Sequence, residues 1–416
     1  MKRSKQTLLL LALICMLLGA CRMGGQATRR DQSATPPGQT KTSGQSRVKS
    51  NGQKPAKMLG DEGTNRVGKG TNRVGKGTVR GGKGARIASD KPTIDSIGYL
   101  EPTSPTKAPQ LVKGVADNLT YVAMFSYRVQ KDGSLIPLKD DTALAATRQS
   151  KAKPMLVITN FADGTFSQEV AHAILTDKEA MNRLIDNVLG VMKSKKYAAL
   201  NIDFEHIFAS DRDRYTEFLK TITPKVKAAG FPVSTALAPK ISGKQAGPWY
   251  SAHDYGAHAR IVDFVILMTY EWGWTGGPPM AVAPISQVKN VLDYAVSVIP
   301  REKIVMGAPL YGYDWVLPYK KGGPPAKRIG PQKAAALAEK YGATVNYDRD
   351  AQAPFFRYTD GRGKKHIVWF ENDKSMQEKF NLVKKYGLRG VSYWEISESF
   401  PNNWRLLRDN FYIRRR

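Results

Sequence analysis

From residue 93 onward, apolar side chains arrive in short unbroken runs, and between many of the runs they recur every three or four positions. Eight runs stand out, at residues 94–100, 119–127, 154–160, 198–205, 232–237, 262–270, 304–310 and 390–394. Each has the length of a strand, and near-continuous rather than alternating hydrophobicity predicts strands covered on both faces, as in a parallel sheet. Met181, Leu184, Ile185, Val188, Leu189 and Met192 carry the helical period, with Thr176 and Glu179 spaced as a capping box before them. Tyr215, Phe218, Leu219 and Ile222 predict a second helix behind Ser210, kinked by Pro224 and ended by Gly230. Val288, Val291, Leu292, Ala295 and Val296 form a third stripe. Strand and helix alternating over one barrel's length predict an α/β fold, a (β/α)8 TIM barrel spanning residues 93–416.

One interval breaks the rhythm. About eighty residues separate the seventh and eighth runs, far more than one helix needs. Residues 313–370 carry a helical stretch at 332–341 and strand-like pieces at 343–347, 355–358 and 366–370. A small α+β insertion beside the barrel mouth is expected there.

The fourth run carries the chemistry. Side chains along a strand point alternately to opposite faces, so Asn201, Asp203 and Glu205 share one face, and Ile202 and Phe204 the other. Polar groups inside an apolar strand are costly to bury unless they are paired or used. The bland alternative is a solvated strand end with ordinary surface acids, and the apolar flanks at 197–200 and 207–208 argue against it. Other runs bring candidates to the same rim, where active sites of such barrels gather. Met268 and Tyr270 share a face of the sixth run, with Glu271 next; Trp394 ends the eighth, Tyr99 lies late in the first, and Asn160 closes the third. Acids with flat aromatic faces suit a sugar site: carboxyl groups for proton transfer, rings for pyranose faces. No His, Cys and carboxylate set accompanies them, so neither metal nor cofactor is expected.

The residues before 93 have another texture. Lys and Arg total 64 against 36 acids, a net charge of +28, of which +12 falls in residues 22–92. That segment is rich in Gly, Ser, Thr and Gln and nearly devoid of large apolar side chains, so residues 21–92 are expected to be a disordered basic tether. Within it, Gly63 to Lys69 is repeated identically from Gly70 to Lys76, and in altered form from Gly77 to Lys83. One Val in each seven-residue repeat makes no coiled-coil seam. A cationic tail of this kind takes anionic wall polymer or lipid as partner, or serves as a spacer held open by self-repulsion. Ahead of it, Lys2, Arg3 and Lys5 precede an apolar run over residues 8–18 that is too short to span a membrane, the layout of a signal peptide over residues 1–20. Leu18-Gly19-Ala20-Cys21 resembles a bacterial lipobox. That resemblance implies lipidation at Cys21 and an exported protein anchored to the outer face of the cytoplasmic membrane. Cys15 would leave with the leader, so no internal disulfide is expected.

Residues 200–205 resemble the end of the Asp-x-x-Asp-x-Asp-x-Glu signature of glycoside hydrolase family 18, in its branch of spore-germination and cortex-lytic N-acetylglucosaminidases. Gly98-Tyr99, Met268-Thr269-Tyr270, Gly307 to Gly312 and Gly390 to Trp394 resemble further blocks of that branch, in order. The resemblance covers residues 93–416. It implies a glycosidase acting on β-linked N-acetylglucosamine glycans, peptidoglycan or chitin oligomers, with retention. In that scheme Glu205 is the general acid, and the substrate's own 2-acetamido oxygen attacks the anomeric carbon. Asp203 orients the acetamido group, Tyr270 hydrogen-bonds its oxygen, and Trp394 forms the floor. Tyr99, Asn160, Asn201, Met268 and Glu271 complete the implied sugar-binding set. Two signature acids are replaced, by Ala198 and Asn201, and Glu271 stands where many relatives carry Asp.

Two other classes compete. A non-catalytic carbohydrate-binding barrel at the cell surface would normally lack the acid, and Glu205 is present. Nucleic-acid binding by the basic tail has no aromatic platform behind it. A monomer is expected.

Overall fold

The computed structural model describes residues 91–416. The leader, Cys21, the repeats and all of the tether up to residue 90 lie outside the described residues. Eight parallel strands form the centre: Thr93–Leu100, Tyr121–Val129, Lys153–Thr159, Ala199–Asp203, Val233–Leu237, Phe264–Leu267, Ile304–Pro309 and Gly390–Trp394. Each pairs with its neighbours in sequence order, and the first pairs with both the second and the eighth, so the sheet closes on itself. The (β/α)8 barrel read from the run pattern is the fold.

Burial on both faces explains the unbroken hydrophobicity. Ile97, Tyr99, Tyr121, Ala123, Phe125, Met155, Val157, Ala199, Phe264, Ile266 and Val305 fill the barrel interior. Leu200, Ile202 and Phe204 face outward into the larger core beneath the helices. Because Ala199 points inward, the period of two aims Asn201 and Asp203 inward as well.

The helix starts differ in detail from the sequence reading. Two helices, Gln168–Thr176 and Lys178–Ser194, stand where one was expected. Asp177, not Thr176, caps the second, its carboxylate accepting from the Glu179 and Ala180 amides at 2.8 and 3.2 Å. The Thr176 hydroxyl instead donates to the His172 carbonyl within the helix before. Ser210 is likewise no cap: it lies in the short turn Ala209–Asp211, and helix Arg212–Ala228 follows, with Pro224 inside it. The sixth strand ends at Leu267, so Met268 and Tyr270 lie in the segment beyond it rather than on a strand face.

Between the seventh and eighth strands stands a five-stranded antiparallel sheet, in the order Lys327–Ile329, Gly312–Leu317, Lys365–Trp369, Ala353–Thr359, Asn346–Asp348. Helix Pro331–Lys340 covers it through Ala334 and Ala338 against Phe356, Val368 and Phe370. At the opposite end of the domain, Tyr412–Ile413 lies parallel to the first strand, with Thr93 beside Tyr412 and Ile94 beside Ile413. Among the described residues no helix is long and apolar enough to cross a membrane.

Candidate active site

The fourth strand stops at Asp203, two residues earlier than its hydrophobicity suggests, and Glu205 sits in the turn beyond. A buried turn residue loses its ladder partners and needs others. Asn160 supplies both: its Oδ1 accepts the Glu205 amide at 2.9 Å and its Nδ2 donates to the Glu205 carbonyl at 2.8 Å. The remaining N–H reaches the Ser167 carbonyl at 2.9 Å, which leaves the Asn160 amide no free donor for a sugar. Asn160 is therefore a clamp on the Glu205 backbone. Asn201 is similarly engaged, accepting from the Tyr99 hydroxyl and donating to Ser234 Oγ, each at 3.0 Å. Both belong to the expected sugar-binding set, and these bonds tie their amide groups to the protein around the site.

Three carboxyl groups crowd the rim. Glu205 Oε2 accepts from the Trp249 indole at 2.5 Å, and the Trp249 ring stacks on His206 with centroids 6.2 Å apart. Burial, and then the charge of Asp203, hold the Glu205 proton well above the usual carboxylate range, against the opposing pull of Trp249. Asp203 is raised by burial, and its Oδ1 is buried without a hydrogen-bond partner. Glu271 comes from the far side of the mouth. Its Oε1 accepts from the Tyr311 hydroxyl and, at 3.0 Å, from Tyr313. Burial pushes its pKa up to about 7, opposed by Tyr311, Tyr313 and Arg328, while Oε2 has no partner. His206 and Glu271, each directly after a site residue, hold φ of 53° and 68°. For residues other than Gly that backbone costs about 1 kcal/mol or more.

Aromatic rings line the rest. Trp394 packs against Tyr99 and Phe125 with centroids 5.5 and 4.7 Å apart, and stays half-buried. Tyr270 lies close enough to Asp203, Glu205 and Glu271 for all three to raise its phenol pKa after burial has done so. Its place depends on a bare backbone next door: a Cβ on Gly307 would meet the Tyr270 ring at 2.8 Å and the Leu267 carbonyl at 2.5 Å. Met268 is buried beneath this surface. Among the described residues no cluster of three His, Cys, Asp or Glu side chains is arranged to hold a metal ion.

Tyr99, Asp203, Glu205, Tyr270, Glu271 and Trp394 thus gather at one mouth. Sequence reasoning missed Trp249, Phe125, Tyr313 and Arg328. The signal for Trp249 was the pair Trp249-Tyr250 in a Gly- and Ser-rich segment just after the carboxyl end of the fifth strand. Arg328, from the insertion, lies 4.4 Å over the Tyr311 ring and 3.5 Å from Glu395.

The pattern of Glycosyl hydrolases family 18 matches residues 95–399. The cortical fragment-lytic enzyme of Bacillus subtilis (strain 168) is 44% identical over 326 residues, 78% of this chain and 76% of that protein. The putative sporulation-specific glycosylase YdhD of the same organism is 34% identical over 308 residues, 74% of this chain and 72% of that one. The crystal structure of the Bacillus cereus spore cortex-lytic enzyme SleL is similar with a TM-score of 0.75 and 43% identity, over 79% of this chain and 76% of that one.

Proposed function

The chain belongs to glycosyl hydrolases family 18 and is a glycosidase, and from that premise we propose that it cleaves β-linked N-acetylglucosamine glycans of spore-cortex peptidoglycan, retaining configuration by substrate-assisted catalysis. The observation that carries this reading is the buried pair at the end of the fourth strand: Glu205, whose proton is held by burial and by Asp203, beside an Asp203 oxygen with no protein partner. The cortex-lytic relatives support the choice of peptidoglycan over chitin oligomers.

Glu205 protonates the glycosidic oxygen, and the bond to the anomeric carbon breaks as the substrate's acetamido oxygen attacks that carbon. Asp203 accepts the acetamido N–H and stabilises the positive oxazolinium ion, and Tyr270 donates to the acetamido oxygen. Water then adds to the anomeric carbon, Glu205 takes its proton, and the amide is restored. Two displacements leave the configuration retained. Geometry supports an internal nucleophile. Asp203 ends the fourth strand and Glu205 follows in the turn two residues on, so both approach a sugar from one side, while Glu271, across the mouth, has its Oε1 held by Tyr311 and Tyr313. Trp394, Tyr99 and Phe125 supply the apolar wall.

The same proposal places the enzyme outside the cytoplasmic membrane as a monomer, tethered through lipid on Cys21, with the basic residues before 93 drawn to anionic wall polymer or lipid. Its support is the sequence alone. Release of Cys21→Ser from the membrane fraction, with turnover unchanged, checks the anchor. The catalytic reading is checked by hydrolysis of purified cortex peptidoglycan with new N-acetylglucosamine reducing ends. Cleavage only at other linkages would overturn it.

A further inference from the structure

The amino-terminal end of the barrel, opposite the carboxylates, holds an open cavity of about 580 Å³, room enough for a small organic ligand. Arg148, Lys153, Lys196 and Arg416 line it, and no Asp or Glu does. They converge from separate places: the end of helix Asp141–Arg148, the starts of the third and fourth strands, and the segment after Tyr412–Ile413. Their charge is poorly neutralised. Lys153 and Lys196 are exposed, with no acidic partner among the described residues. Arg148 donates to a backbone carbonyl, that of Lys195, at 3.0 Å. Arg416 shares the single carboxylate of Asp95 with Arg389 and Arg414.

A second observation points into the same space. Tyr121, on the cavity floor, is 2% exposed, and its hydroxyl has no hydrogen-bond partner among the described residues. That hydroxyl opens onto the cavity, where a ligand oxygen can take its hydrogen bond. Ala198 also lines the cavity, at the position where the family signature begins with an acid. An acid there would place a negative charge among the four cations; alanine leaves the field positive and the space open. Lys196 itself holds φ of 54°, a backbone that glycine would adopt with less strain, yet a cationic side chain stands there.

We propose that this cavity binds a phosphoryl-bearing sugar or polyol, its phosphoryl oxygens among the four cations and the Tyr121 hydroxyl, its carbon body on the apolar floor. Four converging cations suit a phosphate monoester, which carries about −1.5 to −2 charge, better than a singly charged carboxylate. Arg supplies paired donors and Lys a point charge for such a group. A polymer of phosphodiester-linked polyols offers the same phosphoryl oxygens with one negative charge per phosphate, and is the second source. The proposal does not rest on the reaction assigned to Glu205.

Calorimetric titration of the full chain tests it, with glucose 6-phosphate as the free monoester and bis-glycerol phosphate as the polymer linkage. At least one of them should bind, more tightly than inorganic phosphate or glucose. The Lys153→Glu/Lys196→Glu variant should weaken that binding tenfold or more, with unchanged melting and unchanged turnover of a soluble chromogenic N-acetylglucosaminide. Tighter binding of the monoester assigns a free metabolite, and tighter binding of the diester a wall polymer. Silence with both probes overturns the site. Binding that the variant leaves intact also overturns it, by moving the anion to the basic residues before 93. Equal affinity for gluconate overturns the phosphoryl assignment.

Discussion

The Trp249 indole donates to Glu205 Oε2 at 2.5 Å, so a residue from the turn after the fifth strand holds the carboxyl group that ends the fourth. The bond favours the ionised form of Glu205 and fixes the direction in which its other oxygen points.

Trp249→Phe removes the donor and keeps most of the ring. A hydrogen bond to a charged group contributes about 1.5–3 kcal/mol, so kcat should fall about 10- to 100-fold. The alkaline limb of the kcat/KM profile should move to higher pH, because the carboxylate loses the partner that lowers its pKa. A fall in rate with an unmoved limb would make Trp249 a packing residue only.

Glu205→Gln should lower kcat by about 10²–10⁴ on substrates with poor leaving groups while sugar binding persists. Substrate assistance adds a sharper expectation. Oligomers with a 2-hydroxyl or free 2-amino group should be inert, and a thiazoline mimic of the cyclic intermediate should inhibit. Comparable cleavage of glucose and N-acetylglucosamine oligomers would sink the mechanism.

The pH–rate profile should be a bell. Activity requires Asp203 ionised and Glu205 protonated, and burial raises the proton affinity of both, with Asp203 raising Glu205 further. The two limbs belong to the pair rather than to single residues. Asp203→Asn should remove the acid limb and draw the alkaline limb down, since Glu205 then loses the neighbouring negative charge. Measuring both limbs in wild type and variant checks this.

Glu271→Gln separates stability from chemistry. The pKa of Glu271 is raised from the ordinary carboxyl value to about 7, so its folded form binds the proton more tightly than its unfolded form. Its contribution to stability is complete below the unfolded pKa and is lost as pH rises through about 7. Glutamine keeps an oxygen for Tyr311 and Tyr313 and has no charge to bury. Relative to wild type, the variant should gain on the order of 2 kcal/mol in unfolding free energy between about pH 4 and about pH 8. Parallel stability curves in urea at the two pH values would contradict the burial argument.

The barrel was legible because hydrophobic runs covered on both faces leave an unbroken trace, and the inward pointing of Asp203 followed from the period of two. Interactions that cross between strands left no such trace. Asn160 could be placed at the rim from its position after the third strand, but not turned onto the Glu205 backbone, because that required knowing that the fourth strand stops at Asp203. Trp249 reaches Glu205 across 44 positions through a segment with no regular period. Thr176 is the last residue of the preceding helix, so the cap falls to Asp177, the single residue between the two helices, whose extended backbone brings its carboxylate to the Glu179 and Ala180 amides.

The two ends of the described domain run side by side, Thr93 against Tyr412 and Ile94 against Ile413. Joining them with a short linker and reopening the chain in the exposed segment at residues 320–325 would give a circular permutant with every barrel neighbour preserved. In that permutant the eighth strand would be made before the first seven, and the insertion sheet would be split across the new termini. The pairing of Asp95 with Gly390, now nearly three hundred residues apart, would become local, and the barrel would close instead between the seventh and eighth strands, Val305 beside Gly390, which the permutation sets far apart in the chain. If the order of strand addition controls how fast the mouth assembles, the permutant would reach the same active site by a different route.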